Sequence, residues 1–162
     1  KIKKVAGIDL LQKLAERGAQ KGYTFYFLGS QEGVAEKAAE NLKIRYPSLN
    51  IAGTHHGYFR GKDEEVIEEI KKVKPDILII AMGVPSQEKW AYKNLDKLDV
   101  PVSIGVGGSF DVLSGKLDRA PAWMIKLNIE WLYRLYREPS RFMRMVALPH
   151  FVILVLKKKF FG

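Results

Sequence analysis

The chain has 162 residues, the size of one domain, and 47% of them are hydrophobic, which is enough to build a core. It contains no cysteine, which excludes a disulfide framework, a thiolate nucleophile and a cysteine zinc site, and no apolar run approaches the roughly 20 residues that a membrane-spanning helix needs. The net charge is +9, and nine basic residues against two acids from Arg119 onward supply +7 of it, so we expect an anionic partner for the C-terminal part: phosphate, nucleic acid or acidic lipid.

Strand-like and helix-like segments alternate along the first two thirds of the chain. In chain order, the patterns predict a helix over 8–22, a strand over 23–28, a helix to about 46, a strand over 49–53, a helix over 63–73, a strand over 76–81, a helix over 86–98 and a strand over 102–106. The continuous apolar run at 76–81 is typical of a strand that is buried on both faces. We therefore predict an α/β fold, a Rossmann-like parallel sheet with helices on both faces over 1–121, followed by a basic α-helical C-terminal appendage over 122–162.

Ligands of such sheets bind beyond the carboxyl ends of the strands, which makes the loops at 29–33, 83–87 and 105–111 the candidate sites. The first runs from Gly29 to Gly33 and lacks both the dinucleotide glycine pattern and the Walker lysine. It is either a phosphate-binding turn at a helix N-terminus or an ordinary tight turn.

The second loop offers a side-chain amide, and the third offers a glycine-rich backbone. After Gly83, Ser86 can cap the following helix while Gln87 projects an amide towards a base or a sugar hydroxyl; simple capping is the alternative. The third loop holds Gly105, Gly107, Gly108 and Asp111 directly after a strand. Its three glycines allow close backbone approach and leave N–H groups free for an anion.

A metal site is not expected. His55 and His56 are adjacent on an extended segment, so their side chains should point to opposite faces, and no carboxylate or third histidine stands at ligand spacing nearby. We interpret them as structural or solvent-facing residues. There is also no Asp-x-Asp pair to hold a divalent ion against a diphosphate. We therefore expect no cofactor, and cationic side chains should balance the charge of any diphosphate.

The basic tail contains an arginine stripe and an apolar stripe. The stripe of arginines at helical spacing comprises Arg134, Arg137, Arg141 and Arg144. Arginine forks suit a diphosphate, although a solvated helix face is the alternative. Pro139 must kink or split this helix. The apolar stripe occupies another face at core-facing spacing and comprises Trp131, Leu132, Leu135 and Tyr136. An apolar run at 151–156 before three lysines is either an interfacial membrane anchor or a core helix with a basic end.

Six motifs in order along the chain resemble the WecG/TagA/CpsF glycosyltransferases, and the resemblance covers essentially the whole sequence. They are Val5-Ala-Gly-Ile-Asp-Leu10, Gly53-Thr-His-His-Gly-Tyr-Phe59, Gly83-Val-Pro-Ser-Gln-Glu-Lys-Trp90, Gly105-Val-Gly-Gly-Ser-Phe-Asp111, Arg119-Ala-Pro121 and Glu130-Trp-Leu-Tyr-Arg134. The resemblance implies an inverting, metal-independent transfer of an N-acetylmannosamine-type sugar from a UDP donor to a polyprenyl-diphosphate-linked amino sugar. It places such an enzyme in teichoic acid linkage, common antigen or capsule synthesis. The implied location is the cytoplasm, peripheral on the inner face of the cell membrane. The resemblance implies no nucleic acid partner and a possible homo-oligomer.

The resemblance also implies roles for single residues. It places Gln87 in the donor pocket, Gly107, Gly108 and Asp111 in the nucleotide site, and a set of arginines at the departing diphosphate: Arg134, Arg141 and Arg144. The family's general base is an aspartate in an upstream Pro-Asp-Gly-x-Gly motif that the printed sequence does not contain. We therefore expect residues 1–162 to form the donor-binding and lid portion of the enzyme. A non-catalytic UDP-sugar-binding fragment that docks on membranes and a nucleic-acid-binding domain remain as alternatives.

Overall fold

A computed structural model describes residues 5–127 and 129–137. The chain divides between Asp118 and Arg119 into two compact units. The first unit contains α1 (Gly7–Lys21), β1 (Thr24–Gly29), α2 (Val34–Arg45), β2 (Asn50–His55), α3 (Asp63–Val73), β3 (Ile77–Ala81), α4 (Ser86–Leu98), β4 (Val102–Gly105) and α5 (Ser109–Leu113). Each of the eight predicted elements is present, and α5 is an addition.

The four strands of the first unit form one parallel sheet in the order β2-β1-β3-β4. The chain moves outward from β1 to β2 and then crosses to the other side of β1 to begin β3. The direction of winding therefore reverses between β1 and β3, and this reversal opens a crevice at their carboxyl ends, where ligands of doubly wound folds bind.

Helices cover both faces of the sheet, which confirms the predicted Rossmann-like α/β class. Alternate residues of β1 point to opposite faces: Phe25 and Phe27 pack with α1, α2 and α5, whereas Tyr26 and Leu28 pack with α3 and α4. All five residues of β3 are buried, as the continuous apolar run predicted. The carboxyl ends of the strands are thus held by two packed layers.

The second unit contains two helices within its described part, α6 (Ala122–Lys126) and α7 (Glu130–Arg137). Three residues of the predicted core-facing stripe are exposed instead: Trp131, Leu132 and Tyr136 are 51%, 45% and 81% exposed. The core-facing assignment is therefore wrong for these residues, because helical spacing identifies an apolar stripe but not what covers it. No helix among the described residues is long and apolar enough to cross a membrane.

The predicted arginine stripe falls largely on residues of which no structure is described. Arg134 lies in α7, but its side chain is not described, and Arg141 and Arg144 lie outside the described residues. The predicted kink at Pro139 and the apolar run before the three lysines also lie outside them. The roles of these residues stay predictions.

Candidate ligand site at the carboxyl edge of the sheet

The loops after β1, β3 and β4 are tied together at the carboxyl edge by backbone hydrogen bonds. The Ser30 N–H donates to the carbonyl of Ala81 at 2.9 Å, and the Val106 N–H donates to the carbonyl of Ile80 at 2.8 Å. Each bond joins a loop to the last residues of β3. These hydrogen bonds therefore fix the starts of the first and third loops next to the end of β3.

Gly29 is required by the closeness of β1 and β3 at this edge. Its φ is +140°, and a Cβ added to it would lie 2.5 Å from the carbonyl carbon and oxygen of Ala81. Backbone atoms cannot move away as a flexible side chain can, so only glycine fits here. Ser30 follows with a φ of +57°, an uncommon conformation for a residue with a side chain. The first loop is therefore a constrained turn, with glycine at a position of close approach.

Gln87 lies in the first turn of α4, and its side chain is directed into the protein. It is only 3% exposed. Its Oε1 accepts the Gly107 N–H at 3.0 Å, and its Nε2 donates to Oε1 of Glu88 at 2.8 Å. Gly105 provides the space, because a Cβ there would lie 2.5 Å from the Gln87 Nε2 atom. In this conformation Gln87 supports the third loop, and its predicted contact with a ligand stays a prediction.

The capping role considered for Ser86 is wrong. Helix α4 begins at Ser86, Pro85 occupies the N-cap position, and no side chain caps the helix. The second loop is instead closed by the backbone, since the Gln87 N–H donates to the carbonyl of Gly83 at 3.0 Å. Gly83 has a φ of +77°, which glycine adopts without strain.

The third loop is shorter than predicted and has fewer free donors. Helix α5 begins at Ser109, so the loop proper is 106–108, and Asp111 lies within the helix. The N–H groups of Val106 and Gly107 are already bonded to the carbonyl of Ile80 and to Gln87, and these two are therefore not free for an anion. In the described part of the chain, the Gly108 N–H has no such partner.

Asp111 lies beside a lysine that also reaches the first loop. The Lys116 Nζ is 3.9 Å from Oδ1 of Asp111 and donates to Oε1 of Gln31 at 2.5 Å. The Asp111 side chain is 15% exposed. The Lys116 side chain thus links the loop after β1 to the segment that follows α5.

The histidine pair does not have the predicted geometry. The ring centroids of His55 and His56 are 4.5 Å apart. The prediction of opposite faces assumed that both residues continue a strand, whereas β2 ends at His55. No group of three or more His, Cys, Asp or Glu residues that could hold a metal ion occurs within 5–127 and 129–137.

Two features near this edge had not been predicted from the sequence. The Trp90 Nε1–H donates to Oδ1 of Asp63 at 2.7 Å, which joins the start of α3 to α4. The Gly57 N–H donates to the carbonyl of Ser30 at 2.8 Å, which joins the loop after β2 to the loop after β1. Glycine between polar and aromatic residues was the available signal for the second contact, but its partner is 27 residues away.

A separate depression of about 430 Å³, lined by residues of α1 together with Arg45 and Tyr46, includes none of the predicted site residues.

This combination of a reversing parallel sheet and constrained glycine turns at its carboxyl edge defines a Rossmann-like α/β protein with its candidate ligand site at the β1–β3 crevice. The model of the WecG/TagA/CpsF glycosyl transferase family matches residues 1–162, and the chain belongs to this family.

Several curated relatives share the name N-acetylglucosaminyldiphosphoundecaprenol N-acetyl-beta-D-mannosaminyltransferase. The protein from Bacillus subtilis strain 168 is 36% identical over 156 residues, which are 96% of this chain and 60% of the relative. The protein from Bacillus spizizenii is 37% identical over 95% of this chain and 60% of the relative. The protein from Staphylococcus aureus strain MW2 is 36% identical over 96% of this chain and 61% of the relative. The chain thus spans about 60% of the length of these relatives.

Proposed function

We propose that this chain is the donor-binding and lid portion of a glycosyltransferase that moves an N-acetylmannosamine-type sugar from UDP to a polyprenyl-diphosphate-linked amino sugar. Membership of the glycosyl transferase family is the observation that carries this proposal. The names of the relatives support the sugar and the lipid-linked acceptor. The crevice at the carboxyl edge supports a nucleotide-sugar donor, since such ligands bind at this position in doubly wound folds.

In this proposal the first unit binds the nucleotide. Gly29 lets β1 come close to β3, Gly83 adopts the turn after β3, and both turns border the ligand. The turn from Gly105 to Gly108 approaches the diphosphate with the Gly108 N–H. Asp111 accepts a hydrogen bond from the nucleoside. Gln87 holds the turn in place through Gly107, and it reaches the ligand only if its side chain rotates.

In this proposal, the arginines of the tail neutralise the negative charge of the departing UDP. Transfer with inversion breaks the bond between the sugar and the diphosphate as the acceptor hydroxyl attacks, and negative charge grows on the leaving group. Arg134, Arg141 and Arg144 would offset this charge through bidentate contacts, without a metal ion. The base that deprotonates the acceptor is expected from the upstream segment of the family and not from residues 1–162.

We further propose that the chain acts on the cytoplasmic face of the membrane, where a polyprenyl-linked acceptor is found. Trp123, Trp131 and Tyr136 are exposed, and the sequence from Arg119 onward carries a charge of +7. Aromatic side chains next to cations are suited to an anionic lipid surface. The pathway class that we propose is teichoic acid linkage, common antigen or capsule synthesis.

Calorimetric titration with UDP tests the donor site. Binding should be the same with magnesium and with EDTA. It should weaken about 10- to 100-fold in Arg134→Ala, because a bidentate arginine–phosphate contact contributes about 1.5–3 kcal/mol. Arg17→Ala, which changes an exposed arginine on α1, is the matched control and should bind UDP normally. Failure of the unchanged chain to bind UDP would contradict the proposal.

A transfer assay then separates the enzyme from the binding-only alternative. The chain is incubated with UDP-N-acetylmannosamine and a polyprenyl-diphosphate-linked N-acetylglucosamine, with and without a separately supplied upstream segment. Product only in the presence of that segment would support the donor-binding portion. Binding of UDP without product in either mixture would support the non-catalytic fragment, and steeply salt-dependent binding of single-stranded DNA would instead favour the nucleic-acid alternative.

A further inference from the structure

The loop after β2 belongs to the same edge of the sheet as the proposed donor site. Its Gly57 N–H donates to the carbonyl of Ser30 at 2.8 Å. A Cβ added to Gly57 would lie 3.2 Å from Cα of Gly29 and 3.0 Å from Cγ of Met82. The loops after β1, β2 and β3 are therefore in contact at this point, and His55 and His56 immediately precede it.

Backbone hydrogen bonds assign opposite tautomers to the two histidines. The Nδ1 atom of His55 is 2.7 Å from the carbonyl oxygen of His56, and a carbonyl only accepts, so this Nδ1 carries the hydrogen. The Nδ1 atom of His56 accepts the Tyr58 N–H at 3.1 Å, so this nitrogen carries none. In the uncharged rings, the Nε2 atom of His55 is then an acceptor and the Nε2–H of His56 is a donor.

These two Nε2 atoms are available for a ligand. Both rings are half-buried, and neither Nε2 has a hydrogen-bond partner in the described part of the chain. The rings lie 4.5 Å apart, and the His55 ring packs edge-on against Phe59 at 5.5 Å, which restricts its rotation. An acceptor and a donor are therefore offered together from a supported position.

In their uncharged form, the two histidines match an uncharged polar ligand group. A phosphate only accepts hydrogen bonds and would leave the acceptor nitrogen of His55 facing negative charge. A hydroxyl group, or the N–H and carbonyl of an acetamido group, both donates and accepts, and so it satisfies both histidines. Buried polar groups that gain partners only from the correct ligand discriminate against ligands that lack the matching groups.

We propose that His55 and His56 bind the sugar of the nucleotide-sugar donor, through its hydroxyl or acetamido groups, as a paired acceptor and donor at the carboxyl end of β2. This inference rests on the proposed function and adds to it a sugar-recognition site separate from the glycine turns. UDP alone lacks the sugar and does not engage the pair.

Calorimetry with two probes, UDP and UDP-N-acetylmannosamine, tests the pair in the 162-residue chain. The variants His55→Phe and His56→Phe keep a ring of similar size and remove the nitrogens. Each should weaken binding of the UDP-sugar by about 5- to 10-fold, the loss of roughly one hydrogen bond, and leave binding of UDP within twofold. Tyr23→Phe, at the opposite edge of the sheet, is the control and should change neither affinity.

The imidazole nitrogens report the same contact without any substitution. In 15N-edited NMR spectra of the unchanged chain, UDP-N-acetylmannosamine should shift the Nε2 signals of both histidines beyond the change caused by UDP. The assignment would be overturned if the variants bound both probes equally more weakly, or if they bound the UDP-sugar as tightly as the unchanged chain does. It would also be overturned if the Nε2 signals responded equally to both probes. In each of these cases the proposed UDP site would still stand. If the unchanged chain bound neither probe, the proposed function would be overturned, and this inference with it.

Discussion

The contact between Gln87 and Gly105 predicts strong coupling between two substitutions. In Gly105→Ala the new methyl group would lie 2.5 Å from Nε2 and 2.9 Å from Cδ of Gln87, so the carboxamide must move. Overpacking of this kind costs about 1–3 kcal/mol, and displacement of Oε1 also removes the partner of the Gly107 N–H, which brings the expected loss to about 2–4 kcal/mol. Gln87→Ala loses the same hydrogen bond but leaves space, and we expect about 1–2 kcal/mol.

The double variant should therefore be about as stable as Gln87→Ala alone, because no carboxamide remains for the methyl group to displace. Urea unfolding of the four proteins, followed by circular dichroism, measures the free energies of unfolding. The coupling energy should equal the cost of Gly105→Ala alone, about 2–4 kcal/mol. Pairing Gly105→Ala with the exposed Tyr92→Ala is the control cycle and should be additive. Additivity within about 0.5 kcal/mol in the Gln87 cycle would refute the proposed contact.

Three further predictions concern the sheet and its edge. Gly29→Ala should lower the free energy of unfolding by more than 3 kcal/mol, because its methyl group would meet the backbone of β3 at 2.5 Å. Gly33 has a φ of +78° but open space around it, so Gly33→Ala should lower the free energy of unfolding by only about 1–2 kcal/mol. Similar urea midpoints for the two variants would contradict this. Trp90→Phe removes the 2.7 Å hydrogen bond to Asp63 and should lower the free energy of unfolding by about 1–2 kcal/mol. Asp63→Asn retains an acceptor and should lower it by less in the same assay. Burial and then a neighbouring carboxylate raise the pKa of Tyr26, so the stability that its neutral form provides is complete below about pH 10, the unfolded value, and falls as the pH rises further. Tyr26→Phe should remove that part of the alkaline loss, and equal losses in both proteins from pH 9 to 11 would exclude it.

Local signals were sufficient for eight of the nine regular elements described in the first unit. The predicted helices over 63–73 and 86–98 coincide with α3 and α4, because apolar residues recur at helical spacing. Lys74 and Asp99, the residues that follow these helices, adopt the left-handed conformation. Helix α5 was missed because five residues are too few to show a period and follow three glycines. Its burial comes from a distant contact, the stacking of Phe110 on Phe27 with ring centroids 4.8 Å apart.

The orientations of the site residues depend on partners that are far away in the sequence. An amide at the start of a helix is normally directed to solvent, but Gly105 opens a space for Gln87 that is visible only once β4 lies beside β3. Likewise, alternation of side chains predicted that His55 and His56 diverge, and the end of β2 between them brings the rings together. The order of strands and helices therefore predicted that these loops lie at the carboxyl edge, whereas tertiary contacts decided which atoms face it.

If the chain binds UDP as proposed, the hydrogen bonds at this edge indicate how the charge of UDP is divided. Lys116, a cation beside the third loop, is already engaged by Gln31 and lies 3.9 Å from the carboxylate of Asp111. Two N–H groups of the same turn are bonded within the protein. The glycine turns are therefore better suited to shape and close approach than to neutralising a diphosphate. That charge is better matched by the +7 carried from Arg119 onward, which is why Arg134→Ala should weaken UDP binding more than the loss of any one polar contact in the first unit.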